Sequence, residues 1–531
     1  MNRRGFGITL AATVAVTFLL LWATSLPLGI PGEWTWPRIS GGPDLIIGTV
    51  VGLAFGSAYV AFVAWGSGRI DSSTRTATLG LLLMLVGAGF AWILCLQESV
   101  PAPANLGKVP YVLFYPRSSG YYWQAKNDVS STAEFLSSYE ELLAEQDYLH
   151  IGTHPPGLTL GYQGLLQLCE SSPKFSEAVL STCPRSVYDS LESIRSFSAG
   201  SGVIVKPADE ATIWLASLLT MFATATTVVG VYKLTRRNYS ARVAWLVAGM
   251  WPLVPAIAVF HPKSDTLFPM LSVTTAACWM TACDRRSLMW AIAAGVTLWV
   301  GMLLSLAFVT VAALMVAMTA WEWFVTRPQP ISINESEGRV SPTISQQLLL
   351  LASGATGFIL PTLLLAWAYD INLTNVWRWN LSNHALFYDH NVRTWWKWLL
   401  LNPGELAFSV GLPIVVMVVW SLRDLVQEGR WRSHRASLPF AFCVVWGLLL
   451  VSGKNMGEAA RLWVFLMPWV VMSMAAAMER LVKRGNETQE SRLGLSMSTW
   501  LLAAQMVVCV VTVLRIDGFH FSELMVEQAT P

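Results

Sequence analysis

Apolar runs close to twenty residues long recur from one end of this chain to the other, separated by short polar breaks. That is the length a helix needs to cross roughly 30 Å of hydrocarbon. Inside a bilayer each span must satisfy its own backbone, which a helix does and an isolated strand does not. The pattern predicts spans at about 6–30, 45–65, 77–97, 211–232, 243–260, 267–283, 288–321, 348–367, 406–422, 438–452, 462–478 and 497–514. As one helix, Leu288 to Trp321 would reach about 51 Å, and cations flank both its ends (Arg285-Arg286 and Arg327). A hairpin turning near Gly301 to Ser305 resolves both facts. The expectation is an all-α polytopic membrane protein with about 13 transmembrane helices. It divides into transmembrane helices at 1–97, a small, mostly helical extracytoplasmic subdomain at 98–210, and a transmembrane core at 211–531 with an outer loop at 369–405.

Charge then assigns sides. With the N-terminus inside, 20 of the 35 Lys and Arg fall on the inner side, seven lie in the long loop from Glu98 to Glu210, and eight are elsewhere outside. The positive-inside bias therefore puts the N-terminus in the cytoplasm and the C-terminus outside. The first apolar run follows Arg3 and Arg4, and Ala23-Thr-Ser25 offers small residues suited to cleavage. Its length favours an uncleaved anchor over a secretory signal. Composition agrees with a membrane class, at 54% hydrophobic and only 13% charged. A formal net charge of +2 with no basic tract argues against a nucleic-acid partner.

The long loop carries two helical patterns. Thr132 to Gln146 places Phe135, Leu136, Tyr139, Leu142 and Leu143 on one face. A second helix opens at Pro155-Pro156, where proline is tolerated, with Leu158, Leu160, Leu165 and Leu168 suited to a membrane surface. Five of the seven cysteines sit in spans as ordinary apolar residues. Cys169 and Cys183 share the outer loop, where a disulfide is permitted.

Histidine marks where chemistry gathers. Six of seven histidines (His150, His154, His261, His384, His390 and His520) fall on the outer side, and only His434 is inside. Five of these six sit in dense polar clusters, and four such clusters occur on separate outer loops. The first joins Gly120-Tyr-Tyr-Trp-Gln-Ala-Lys-Asn-Asp128, which contains Tyr122, to Asp147-Tyr-Leu-His-Ile-Gly-Thr-His-Pro-Pro-Gly157. His150 and His154 have the spacing of a helical metal pair, but the diproline opposes helix there, and no metal site is assigned. The pair suits either a capped turn or, beside helix N-terminal amides, a phosphate. The second, Phe260-His-Pro-Lys-Ser-Asp265, offers Lys263 and Asp265, residues that equally serve solubility in a short loop. The third, around His384 and Tyr388 and on through Arg393, is either an aromatic belt or a surface for a sugar or lipid head group. The fourth, Gly453-Lys-Asn-Met-Gly-Glu-Ala-Ala-Arg461, sets Lys454, Glu458 and Arg461 at the membrane boundary, where unpartnered charge is costly.

Carboxylates, imidazoles and cations on one face suit transfer from a phosphorylated lipid. A carboxylate deprotonates the acceptor hydroxyl while cations hold the leaving phosphate. Thr153-His-Pro-Pro-Gly157, the Phe260 to Asp265 mouth, Asn383-His384 to Tyr388 and Gly457-Glu-Ala-Ala-Arg461, in that order, resemble bacterial GT-C glycosyltransferases. Relatives of that group include protein O-mannosyltransferases and aminoarabinose transferases. The resemblance touches the chain from about Gly120 to Pro468. It implies a polyprenyl-phosphate sugar donor, a glycan, lipid or protein acceptor, typically inversion at the anomeric carbon, and a catalytic acid in a large outer loop. Gln124 stands where related sequences often carry that acid, which leaves Asp128 or Asp147 as the base, with Glu134 behind them. His154, Lys263, Arg393 and Arg461 are then donor or phosphate contacts, with Asp265, His384 and Tyr388 lining the cavity. No cofactor is fixed, since some relatives use a divalent cation and others do not. A transporter or lipid flippase and a non-catalytic membrane scaffold are the rival readings. The near absence of ionisable residues within the spans argues against ion-coupled transport.

Overall fold

The computed structural model of the chain describes residues 3–145, 149–200, 202–326, 343–487 and 496–519. The fold opens with α1 (Arg3–Trp22), a two-stranded hairpin of β1 (Gly29–Ile30) and β2 (Trp34–Thr35), α2 (Pro43–Ser67) and α3 (Arg75–Glu98). The long loop folds into α4 (Lys108–Phe114), α5 (Tyr121–Asn127), α6 (Thr132–Ser137), α7 (Tyr139–Ala144), α8 (Gly157–Ser171), α9 (Pro173–Leu180) and α10 (Arg185–Gly200). The membrane core then runs α11 (Pro207–Arg236), α12 (Ala241–Met250), α13 (Pro255–Val259), α14 (Phe268–Arg285), α15 (Leu288–Leu304), α16 (Phe308–Thr326) and α17 (Ile344–Tyr369). It closes with α18 (Leu373–His390), α19 (Trp395–Val410), α20 (Leu412–Gln427), α21 (His434–Ser452), α22 (Ala459–Leu462), α23 (Met467–Ser473), α24 (Ala475–Glu487) and α25 (Met497–Arg515).

The chain is an all-α polytopic membrane protein. Among the described residues ten helical segments are long and apolar enough to cross a bilayer, or eleven if α19 and α20, bent by 111°, make one span. The difference from about 13 has a local cause in each case. The expected 243–260 span breaks at Trp251-Pro252-Leu253, a 3-10 turn, and restarts at Pro255, because prolines remove backbone donors from the helix ladder. The expected hairpin within 288–321 is present, turning between Leu304 and Phe308, but α15 has only 17 residues.

Broken spans leave carbonyls that lipid cannot satisfy, and buried side chains supply the donors. Trp92 Nε1 donates to Pro252 O at 2.9 Å, and from the break itself Trp251 Nε1 donates to Thr224 O of the continuous α11 at 2.8 Å. Gln505, fully buried in α25, donates to Leu253 O and Val410 O, both at 2.9 Å. Close helix approach comes from small residues, as in many membrane bundles. In α2, Gly48, Gly52 and Gly56 form one buried stripe, and a Cβ at Gly56 would lie 2.6 Å from Met506 of α25.

On the side opposite the long loop, Arg237 joins three helices. It bonds both carboxylate oxygens of Asp284 (2.7 and 2.8 Å) and of Glu322 (2.9 and 3.1 Å). In the long-loop subdomain, the expected helix from Thr132 is broken at Ser138 into α6 and α7. Phe135, Leu136, Tyr139 and Leu143 pack with Ile371, Leu373 and Val376. Helix α8 starts at Gly157, after the diproline, and does not turn its whole leucine face outward. It packs on α5 and α11 through Leu158, Gln163, Leu166 and Cys169, leaving Leu168 exposed. Cys169 and Cys183 are both free thiols.

Candidate functional site

Three loops and the start of α5 meet over the core. The turn before α5 needs Gly120 at φ +80°, a conformation costly for other residues. It brings Tyr121 edge-on to His154, with ring centroids 5.7 Å apart. The buried Lys263 ammonium donates to the Ser118 carbonyl just before that turn, tying the 260–265 mouth to the long loop. From the fourth cluster, Arg461 forms an ion pair with Glu458 at 2.6 Å. Glu458 adopts a left-handed φ of 55°, a conformation non-glycine residues hold only when their surroundings enforce it. The Nε of Arg461 is buried without a hydrogen-bond partner. Asp265 is half-buried, with no side-chain hydrogen bond or ion pair among the described residues, and its charge acts on Tyr121, His154, Lys263 and Arg461.

These charges tune one another. Burial pulls the Lys263 ammonium down to about 7, Arg461 adds to the fall, and Asp265 and Glu458 oppose it. Burial also lowers His154, against the pull of Asp265, and lowers His150, where Lys263 and Arg461 add to the effect. Burial disfavours the Arg461 cation as well, but Glu458, Asp265 and Tyr121 more than offset this, so it stays charged. Neutral imidazoles beside a fixed guanidinium and a lysine poised near neutrality make an anion site with one open carboxylate.

The histidine turn is held from outside. His154 Nδ1 lies 3.0 Å from both His150 O and Thr153 Oγ1, and His150 Nε2 lies 3.0 Å from Arg117 O. The two imidazoles thus meet loop backbone, as a capped turn requires. On α18, Asn380 Nδ2 donates to Gly152 O (2.9 Å) and His154 O (3.0 Å), and Asn383 Nδ2 to Leu143 O and Gly152 O (both 3.0 Å). Tyr139 OH adds a bond to His154 O at 2.9 Å. Farther along α18, Tyr388 OH donates to Lys454 O at 2.6 Å and accepts from Met456 N at 3.1 Å. His384 packs edge-on to Tyr388 at 5.6 Å, and burial, with Lys454 and His154, holds its imidazole down to about 4. Lys454 itself is exposed.

Other expected residues lie apart from this group. Asp128 caps the far end of α5 and is exposed. Tyr122 points away into the bundle, donating to Asp209 Oδ1 at 2.8 Å beside the Lys126–Asp209 ion pair, also 2.8 Å. Asp147 and His520 lie outside the described residues. Arg393 donates through Nη1 to the Glu33 carbonyl and lies over Trp34 at 5.6 Å, while its buried Nε has no partner among the described residues.

Glu33 is the residue that sequence reasoning missed. Its Oε1 accepts from Thr394 Oγ1 (2.6 Å) and Lys397 Nζ (2.9 Å), and its Oε2 from Thr394 N and Trp398 Nε1 (both 2.8 Å). Burial alone would raise its pKa, but these bonds reverse that and hold the carboxyl at about 2. Arg393 and Trp398 in turn form the floor beneath Gly457, next to Glu458. The available signal was a lone acid within Pro31-Gly-Glu-Trp-Thr-Trp36, which in sequence has the look of an ordinary interspan loop.

No group of three or more His, Cys, Asp and Glu placed to hold a metal occurs among the described residues. No protein-family model and no curated protein matches the chain. Among solved structures it is similar to the Archaeoglobus fulgidus oligosaccharyltransferase, a structure determined with zinc and sulfate, at 12% identity and a TM-score of 0.35. The match covers 78% of this chain and 53% of the archaeal one, so this chain spans about half that protein's length. A likeness at that score carries no functional weight.

Proposed function

We propose that the protein is a membrane glycosyltransferase that moves a sugar from a polyprenyl-phosphate donor to an acceptor hydroxyl. In this reading the reaction takes place on the extracytoplasmic face of a bacterial cytoplasmic membrane, with the N-terminus inside and the C-terminus outside. The supporting observation is the Asp265 carboxylate, which has no partner among the described residues and whose charge acts on Lys263, Arg461 and His154. An acceptor oxygen loses its proton to the carboxylate and bonds to the anomeric carbon. The bond from that carbon to the phosphate oxygen breaks, and the lipid phosphate leaves with the electron pair. Arg461 and Lys263 balance the charge that develops. His154 and Tyr121 line the approach. His150, His384, Tyr388, Lys454 and Glu458 form the rim. This assignment takes Asp265 in place of Asp128 as the base, because Asp128 is exposed at the far end of α5; Asp147 remains the alternative. The motifs that resemble GT-C enzymes support the class of reaction, and the acceptor is a glycan, lipid or protein.

The test is transfer by the purified chain from a polyprenyl-phosphate sugar, with Asp265→Asn and Asp128→Asn compared at equal folded protein. Loss of a general base costs roughly 10²–10⁴ in rate, which is expected for Asp265→Asn alone. Full activity in Asp265→Asn would remove the assignment.

A further inference from the structure

Beside the charged cluster, but not part of it, a cavity of about 280 Å³ lies between α1, α13, α19 and α25. That is near the lower end of the roughly 300–1,000 Å³ range of small-molecule sites. Leu28, Trp36, Phe260, Leu401, Phe408 and Ile516 give it apolar walls. Two buried oxygens belonging to its lining have no hydrogen-bond partner, Glu405 Oε2 and Thr512 Oγ1, and Thr512 is 2% exposed. The other Glu405 oxygen is occupied, accepting from Trp36 Nε1 at 2.6 Å and Ala460 N at 3.3 Å. The carboxyl is therefore fixed in orientation.

An unpaired buried polar atom is costly, and two in one apolar cavity describe the complement of a ligand. That ligand needs an aliphatic body to match the walls and a group that both donates and accepts hydrogen bonds. A hydroxyl does both. An anionic head group would be stripped of water against apolar walls and the Glu405 carboxyl, without an opposite charge to compensate. We propose that this cavity binds an aliphatic alcohol delivered from the bilayer, its hydroxyl held by Glu405 and Thr512. The site stands whether or not Asp265 is the base of a transfer reaction, because none of its evidence comes from the charged cluster.

The experiment uses the full chain in lipid nanodiscs with a diazirine-bearing octanol, followed by peptide mapping of the photo-adducts. Adducts should concentrate in 28–36, 256–260 and 401–409. With one hydrogen bond worth about 1 kcal/mol, 1-octanol should compete roughly fivefold better than octane. Thr512→Val keeps the side-chain shape and should reduce that preference. A Cβ at Gly404 meets nothing within 4 Å, so Gly404→Leu should fold, obstruct the cavity and lower these adducts while labelling of the lipid-facing α17 is unchanged. Absence of adducts in the lining, octane competing equally, or full labelling in Gly404→Leu would each overturn the proposal. If Gly404→Leu does not fold, Thr512→Val and the octane comparison decide it.

Discussion

Gln505 and Val410 are 95 residues apart in sequence and 2.9 Å apart at the amide nitrogen and carbonyl oxygen. The same nitrogen reaches Leu253 O at 2.9 Å. One polar side chain in an apolar helix thus closes two separate helix breaks, at α12–α13 and at α19–α20. The first break leads the chain into Lys263 and Asp265 on the loop side, and the second redirects the helix that carries Glu405. The irregularity of the spans is part of how the site is assembled.

Gln505→Leu keeps the volume and removes both donors, leaving two carbonyls unpaired in a dry environment. The expected loss is about 2–4 kcal/mol, read as a melting temperature several degrees lower in detergent. An unchanged melting curve would show that the breaks satisfy themselves by other means.

Glu33 sets an acid limit on stability. Its folded pKa lies at about 2 against an ordinary 4.5, so the unfolded chain takes up a proton first as pH falls. The stabilisation is fully present above the ordinary value and is lost as pH drops towards 2. Solvent near the loop reduces the full linkage value, to about 2 kcal/mol. Glu33→Gln should therefore melt earlier than the parent at pH 7 and converge with it only as the pH approaches about 2. Parallel curves at both pH values would mean the carboxylate charge does not matter.

How much of this was legible in the sequence differs between fold and site. Span length and cationic flanks marked the helices and the hairpin after Leu304, because hydrophobic length is a one-dimensional signal. The breaks at Pro252 and Gly411 were hidden inside continuous apolar runs, since an apolar residue reads the same in a straight or a bent helix. Lys263, Asp265, His154 and Arg461 were legible as polar residues at span mouths. Their division of labour was not. Arg393 and Asp265 look equally available in sequence; only the fold shows that Glu33 engages the first and that no described residue pairs with the second. Tyr122, adjacent to Tyr121, is turned to the other side of α5, a difference a single helical step creates.

Asn383 shows how a cluster that resembles a binding surface acts from behind the site. Fully buried, it donates to Leu143 O and Gly152 O. Asn383→Leu strands Leu143 O, at about 1–3 kcal/mol, while Gly152 O keeps its bond from Asn380. The expected signature is faster amide hydrogen exchange confined to 143–154 with the membrane helices unaffected. Exchange that is unchanged there, or increased throughout the chain, would contradict a local role.

Lys263 links the proposed chemistry to pH with a sign that stability alone cannot imitate. Its folded pKa is lowered from 10.5 to about 7, so below that value it is a cation available to a phosphate. Above it the charged fraction falls about tenfold per pH unit. Affinity for a polyprenyl phosphate should therefore decline as pH rises through about 7, with a bound anion shifting the midpoint upward. Stability moves the other way. Between about 7 and 10.5 the unfolded chain holds a proton that the folded one has released, so this group makes the fold more stable as pH rises. Binding that weakens while the melting temperature holds or climbs would separate loss of the cation from unfolding. Lys263→Arg keeps its charge throughout this range and should flatten the binding profile, whereas Lys263→Met should be weak at every pH. A wild-type profile as flat as that of the arginine variant would show that the phosphate is held without Lys263.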